Sequence, residues 1–142
     1  MQISEQMRAE LIAHAREEAP NECCGIIATR NGRGVQLHRG INAAASPLMY
    51  VYEPNELLRV TTEIDDLGLD VGVIYHSHTR SDPYPSETDI NLAFWPETDL
   101  ARWPGALYVI VGVAGEQPDV RAYSLHKGTG EGIVTEVSLD VI

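Results

Sequence analysis

The sequence is short of cysteine, of basic residues and of long apolar runs. It holds only two cysteines, Cys23 and Cys24, and they are neighbours. Adjacent residues rarely meet disulfide geometry, so a disulfide framework and the small secreted scaffolds built on one are excluded. Lysine and arginine number 10 against 21 aspartates and glutamates, for a net charge of −11. That field repels phosphate backbones and anionic headgroups, so nucleic acid and membranes are not expected partners, and a partner with a basic face is favoured. No apolar stretch approaches the ~18 residues of a spanning helix. Met1-Gln2-Ile3-Ser4-Glu5 lacks a basic segment followed by an apolar one. No signal peptide is therefore expected, and the expected location is the cytoplasm.

What is present is an ordinary globular make-up: 142 residues, 44% hydrophobic and 22% charged. We expect one domain over residues 1–142. A chain of this length buries a core without staples, so a metal bound to it is free to be catalytic.

Ser4 fits the cap of a first helix with Met7, Leu11, Ile12 and Ala15 on one face, ending at Pro20. Cys24 to Thr29 reads as a buried strand. Asn31-Gly32 is a hairpin turn, with Val35 to Ile41 returning. Residues 42–52 read as a loop. Pro54 opens a second helix with Leu57, Leu58, Thr61 and Ile64 inward, and Gly68 closes it. Val71 to Tyr75 is β-branched and apolar, a central strand running into His76. Thr79 to Pro85 is a loop, and Ser86 caps a third helix that carries Ile90, Leu92, Ala93 and Phe94. Leu107 to Val113, Val120 to Leu125 and Ile133 to Leu139 are further strands. The expectation is an α/β fold: a single mixed sheet flanked by about three helices.

The chemistry concentrates in one run. His76 and His78 lie two apart at a strand end, so their side chains share a face. Asp89 follows eleven residues later, in the first turn of the third helix, and the loop between can fold that turn back over the imidazoles. Two neutral nitrogens and one carboxylate suit Zn²⁺, and three protein ligands leave a fourth position for water. His-x-His alone is a weak signal, since paired histidines at a core edge usually make ordinary hydrogen bonds.

The longer string is His76-Ser77-His78, seven residues, Ser86, two residues, Asp89. It closely resembles the motif of the JAMM (MPN+) metalloproteases at every position and spacing. The family's upstream Glu-x-Cys-Gly stretch is matched by Glu22-Cys23-Cys24-Gly25, preceded by Pro20. Ala28 stands near a place where the family commonly has glycine, a departure that touches packing and not chemistry. The resemblance implies the JAB1/MPN, cytidine-deaminase-like fold, with zinc on His76, His78 and Asp89. It implies Glu22 as general acid/base and Ser86 as hydrogen-bond donor to the oxyanion. Ser77 points to the opposite strand face, where structural hydrogen bonds are expected.

The resemblance further implies hydrolysis of the amide bond after the C-terminal Gly-Gly of a ubiquitin-like protein. Residues 42–52 and 79–85 would wall a groove for that thin tail, entering as an added strand. Tyr75 to Thr79 with Tyr84-Pro85-Ser86 looks like the bacterial branch that releases cysteine from a sulfur carrier protein. The length is about that of a bare catalytic domain. A broader deconjugating protease and a metal-free MPN scaffold are the alternatives; a zinc deaminase would need a paired-cysteine ligand signature that is absent. A homodimer is compatible with the sequence. His14, His38 and His126 are read as ordinary surface histidines, Cys24 as a core thiol and Cys23 as a thiol facing the site. Trp95 and Trp103 flank a proline-rich, acidic stretch open to either packing or a protein contact.

Overall fold

Ser4 holds extended backbone (φ −75°, ψ 161°), and its hydroxyl accepts the Met7 N–H at 3.0 Å. That cap opens helix α1 (Glu5–Glu18) behind a short strand β1 (Gln2–Ile3). The chain then forms β2 (Cys24–Arg30), β3 (Arg33–Arg39), α2 (Pro54–Asp66), β4 (Asp70–His78), α3 (Glu87–Leu92), β5 (Leu107–Gly112), β6 (Asp119–Lys127), β7 (Gly132–Val137) and β8 (Asp140–Val141). This computed structural model describes residues 1–127 and 132–142.

The Asn31-Gly32 turn forms as its sequence requires. Both residues take positive φ, 52° and 75°, which lets two residues join the twisted strands β2 and β3. The eight strands form one sheet in the order β7-β6-β5-β4-β2-β3-β1-β8. β4 is parallel to β5 and antiparallel to β2, so the sheet is mixed as expected.

Helices cover both faces. On one, Leu11, Ile12 and Ala15 of α1 pack on Ile27, Val73, Tyr75, Val109 and Val111. On the other, Val60 and Ile64 of α2 pack with Phe94 over Ile26, Ile74 and Ile110. β2 and β4 are therefore buried on both sides, which is why they read as continuous apolar runs. Each fully buried isoleucine or valine contributes roughly 1.5–3 kcal/mol by leaving water.

Several expectations shift. Leu58 is 67% exposed, and Val60 takes the inward place assigned to it. Proline at the first turn leaves the cap to Glu53, whose carboxylate accepts the Asn55 and Glu56 N–H groups. α3 stops at Leu92, with Ala93 as its cap. β4 continues through His78, so both histidines belong to the strand itself. The two-residue strands β1 and β8 are too short for any periodicity to register.

Candidate metal centre

β4 presents alternate side chains to alternate layers. Tyr75 and Ser77 face α1; His76 and His78 face the α2 and α3 side, beyond Ile74. Asp89 reaches the same point from the first turn of α3. Ser86 and Asp89 form a reciprocal cap: the Asp89 N–H donates to Ser86 Oγ at 3.1 Å, and the Ser86 N–H donates to Asp89 Oδ2 at 2.9 Å. The capping box thus aims the carboxylate as well as starting the helix.

The three side chains converge. Asp89 Oδ2 lies 3.0 Å from His76 Nε2 and 3.1 Å from His78 Nε2, and the two nitrogens are 3.2 Å apart. All three residues are buried. Four donors in a tetrahedron about 2.0–2.1 Å from a zinc ion stand about 3.3 Å apart. The observed triangle is one face of such a tetrahedron, slightly contracted.

The tautomers agree with that use. His78 Nδ1 lies 2.7 Å from the Asp82 carbonyl, which can only accept, so Nδ1 carries a proton and Nε2 is the atom that faces Asp89. Burial lowers the His78 pKa, but Asp89 and the Asp82 carbonyl outweigh it and raise it above its ordinary value. His76 Nδ1 is buried without a partner among the described residues. Burial pulls the His76 pKa below its ordinary value and keeps the ring neutral. At Asp89 burial works against the charge, but the hydrogen bonds from His76 and His78 outweigh it and hold the carboxyl well below the usual carboxylate range. Two imidazole nitrogens and an ionised carboxylate ligate a divalent cation once any proton held between His78 and Asp89 is released on binding, so the donor set fits a metal.

Glu22 stands beside this triangle. Cys24 pairs with His76, and the Ser77 N–H donates to the Cys23 carbonyl, so counting on sets Glu22 level with His78 on the same face. The Asn42 side-chain amide donates to the Glu22 carbonyl, and the Glu22 N–H donates to Ser46, which fixes its backbone. Glu22 is 4% exposed, and its Oε1 has no partner among the described residues. Burial raises its pKa to about 7; His78 opposes that rise and Asp89 adds to it. Ser86 is exposed, with its hydroxyl proton free because the cap uses only the oxygen.

Other assignments change. Cys23 packs against Leu11, Ile12 and Ala15, away from the metal face, and burial pushes its thiol up to about 12. It is an inert core thiol. His14 is 2% exposed, and its Nδ1 meets the Tyr75 hydroxyl at 2.7 Å. It faces the sheet because it sits one helical turn beyond Leu11. His126 is exposed and His38 half-buried. Trp103 packs against the core while Trp95 is half exposed.

Two residues carry no mark in the sequence. Tyr50 stacks on His76, centroids 4.6 Å apart. It comes from the loop before α2, where nothing periodic singles it out. Tyr123 donates its hydroxyl to the Pro83 carbonyl, anchoring the loop whose Asp82 carbonyl orients His78.

The profile of prokaryotic homologs of the JAB domain matches residues 4–126. The chain belongs to this family. It is similar to the CysO-cysteine peptidase of Mycobacterium tuberculosis, 35% identical over 136 residues, covering 93% of this chain and 84% of that protein. It is 34% identical to the desampylase of Haloferax volcanii over 138 residues, covering 92% and 89% of the two chains. Among solved structures, a Desulfitobacterium hafniense protein superposes with a TM-score of 0.78 at 25% identity, covering 99% of this chain and 93% of that one. A JAB1/MPN domain protein from Archaeoglobus fulgidus gives 0.59 at 20% identity, covering 100% and 99%, and so shares the fold. Family, fold and the His76–His78–Asp89 cluster together make this chain a JAMM-type peptidase.

Proposed function

We propose that this chain, as one catalytic domain over residues 1–142, is a zinc-dependent peptidase. It hydrolyses the amide bond after the C-terminal Gly-Gly of a ubiquitin-like protein, and its substrate is a sulfur carrier protein–cysteine adduct from which it frees cysteine. The observation that carries the reading is the contracted triangle of His76, His78 and Asp89 beside a buried carboxylate with an unused oxygen. The mycobacterial and haloarchaeal relatives, a CysO-cysteine peptidase and a desampylase, support the substrate class.

His76, His78 and Asp89 would hold the zinc, which when bound would supply a Lewis acid and a water of lowered pKa, toward ~7. Glu22 takes the proton from the attacking water and passes it to the leaving amine. Burial raises its pKa in the metal-free chain, which brings the carboxylate closer to the range where it can both take and return a proton. The Ser86 hydroxyl donates to the developing oxyanion while its oxygen keeps capping α3. Asn42 and Tyr50 hold the loop that frames Glu22 and His76. No helix among the described residues is long and apolar enough to cross a membrane. The free cysteines, both buried, support a cytoplasmic location.

The test is incubation with a carrier–cysteine adduct, with and without chelator, read by mass. Release of cysteine that stops on chelation and returns with zinc is expected. An adduct left intact with zinc present defeats the cysteine-releasing reading. Carrier fusions with larger leaving groups then separate it from a broader deconjugating protease.

A further inference from the structure

We propose that the aromatic cavity beside the metal centre binds the free α-carboxylate of an amino acid, and that in the reaction proposed above it holds the leaving group. The cavity has a volume of about 410 Å³ and is walled by Tyr50, Tyr52, Trp95, Arg102, Trp103 and Tyr108, with aliphatic side chains between them. Five of the chain's nine aromatic residues are gathered there. Tyr50 joins the cavity to the reaction centre, because the same ring stacks on His76.

What sets the cavity apart is an excess of donors. Tyr108 is 6% exposed, and its hydroxyl is buried with no partner among the described residues. A buried hydroxyl without a partner is costly, and a native structure keeps one where something else satisfies it. Burial pushes the Tyr108 phenol up to about 12, so it remains a donor, and the neighbouring charge of Arg102 only partly opposes that rise. Arg102 lies 4.6 Å over the Trp95 ring and donates its Nε to the Phe94 carbonyl at 3.1 Å. The other end of its guanidinium has no carboxylate among the described residues. Arg39, Arg59 and Arg121 each pair with two. Arg8 is also half-buried and without a carboxylate among the described residues, but Arg102 differs in lining this cavity.

Among the described residues, no carboxylate, amide or imidazole side chain lines the cavity. Its complement is an acceptor-rich anion on a small apolar body. A carboxylate meets the guanidinium in a planar, charge-assisted pair and takes the Tyr108 hydroxyl on a remaining lone pair. The volume is at the small end of ligand pockets, enough for one amino acid. The inference rests on the peptidase reading. It adds a reason why a single amino acid would be preferred over the lysine side chain of a folded protein, which brings no α-carboxylate to this point.

Trp95 and Trp103 line the cavity, so their fluorescence reports binding without metal or turnover. The metal-free protein is titrated with S-methyl-L-cysteine and with its amide. We expect saturable binding of the acid, about tenfold tighter than the amide, as loss of one charged hydrogen-bonding partner predicts. In Arg102→Gln that preference disappears, and in Arg102→Lys part of it remains. Tyr108→Phe, which removes one oxygen from the site, weakens the acid several-fold and serves where an Arg102 variant folds poorly. In turnover with zinc, Arg102→Gln raises KM about tenfold for a carrier–cysteine adduct, with kcat little changed, and leaves a carrier–cysteinamide adduct unaffected. Equal binding of acid and amide, or equal turnover of both adducts by wild type and Arg102→Gln, overturns the site and leaves the peptidase reading standing. If neither adduct is cleaved, the peptidase reading fails, and the fluorescence titration still decides the carboxylate site.

Discussion

The two faces of β4 bury polar side chains to the same depth and treat them in opposite ways. Toward α1, Tyr75 and Ser77 are fully buried and satisfied: the Tyr75 hydroxyl meets His14 Nδ1 at 2.7 Å, and Ser77 Oγ accepts the Cys23 N–H at 2.8 Å. Toward α3, His76, His78 and Asp89 turn three ligand atoms toward one point, while His76 Nδ1 and Glu22 Oε1 keep no partner among the described residues. A buried polar group whose hydrogen bonds close on the protein specifies the fold. One whose lone pairs are left facing each other is prepared for something the chain does not itself contain. The difference between the faces, rather than burial alone, separates structure from chemistry here.

The strongest way to break that comparison is to remove a ligand. Asp89→Ala or His78→Ala should lose bound metal by elemental analysis and lose on the order of 10³-fold or more in turnover, since a metal centre supplies several kcal/mol. Stoichiometric zinc in Asp89→Ala would show that the triangle is not the site. Glu22→Gln comes next. It should keep its metal and drop kcat by roughly 10²–10⁴, the range of general acid–base catalysis. Full activity in this variant sinks the role.

The same substitution has an opposite effect on stability. Burial raises the Glu22 pKa from 4.5 to about 7 in the folded, metal-free chain. Between those values the folded state binds more protons than the unfolded one, so stability falls as pH rises through that window. Metal-free Glu22→Gln should therefore melt above wild type at pH 8, with the gain vanishing at pH 4. A gain that does not depend on pH would detach it from ionisation.

On the satisfied face the pattern inverts. Tyr75→Phe leaves His14 Nδ1 buried without its partner and should cost roughly 1–3 kcal/mol in chemical denaturation, with kcat unchanged. A kcat loss as large as that of Glu22→Gln would erase the distinction between the faces. Smallest of all, Leu58→Ser on the exposed side of α2 should move stability by no more than about 0.5 kcal/mol.

Much of this was legible beforehand because it is local. Ser4 and Ser86 cap helices, Asn31-Gly32 turns a hairpin, and the period of two puts His76 and His78 on one face; each depends on neighbours a few residues away. Leu58 was misplaced because Leu57, Leu58, Val60, Thr61 and Ile64 are all compatible with a helical stripe. Only the angle at which α2 meets the sheet selects Val60. Cys23 was misplaced because alternation fixes relative faces but not which layer each one meets. His14 looked like a surface residue because its partner is 61 positions away.

The sequence by itself determined the ligand set, its spacing and the run of elements, because spacing along a strand and the first turn of a helix are set by backbone geometry. Tertiary structure alone decided that Asp89 Oδ2 closes to 3.0–3.1 Å on both imidazoles, and that Tyr50 stacks on His76. Among the described residues, it alone left Glu22 Oε1 without a hydrogen bond and the Arg102 guanidinium without a carboxylate. Those outcomes depend on which distant segments exclude water from a point and which acceptors they bring there, and no local pattern encodes that.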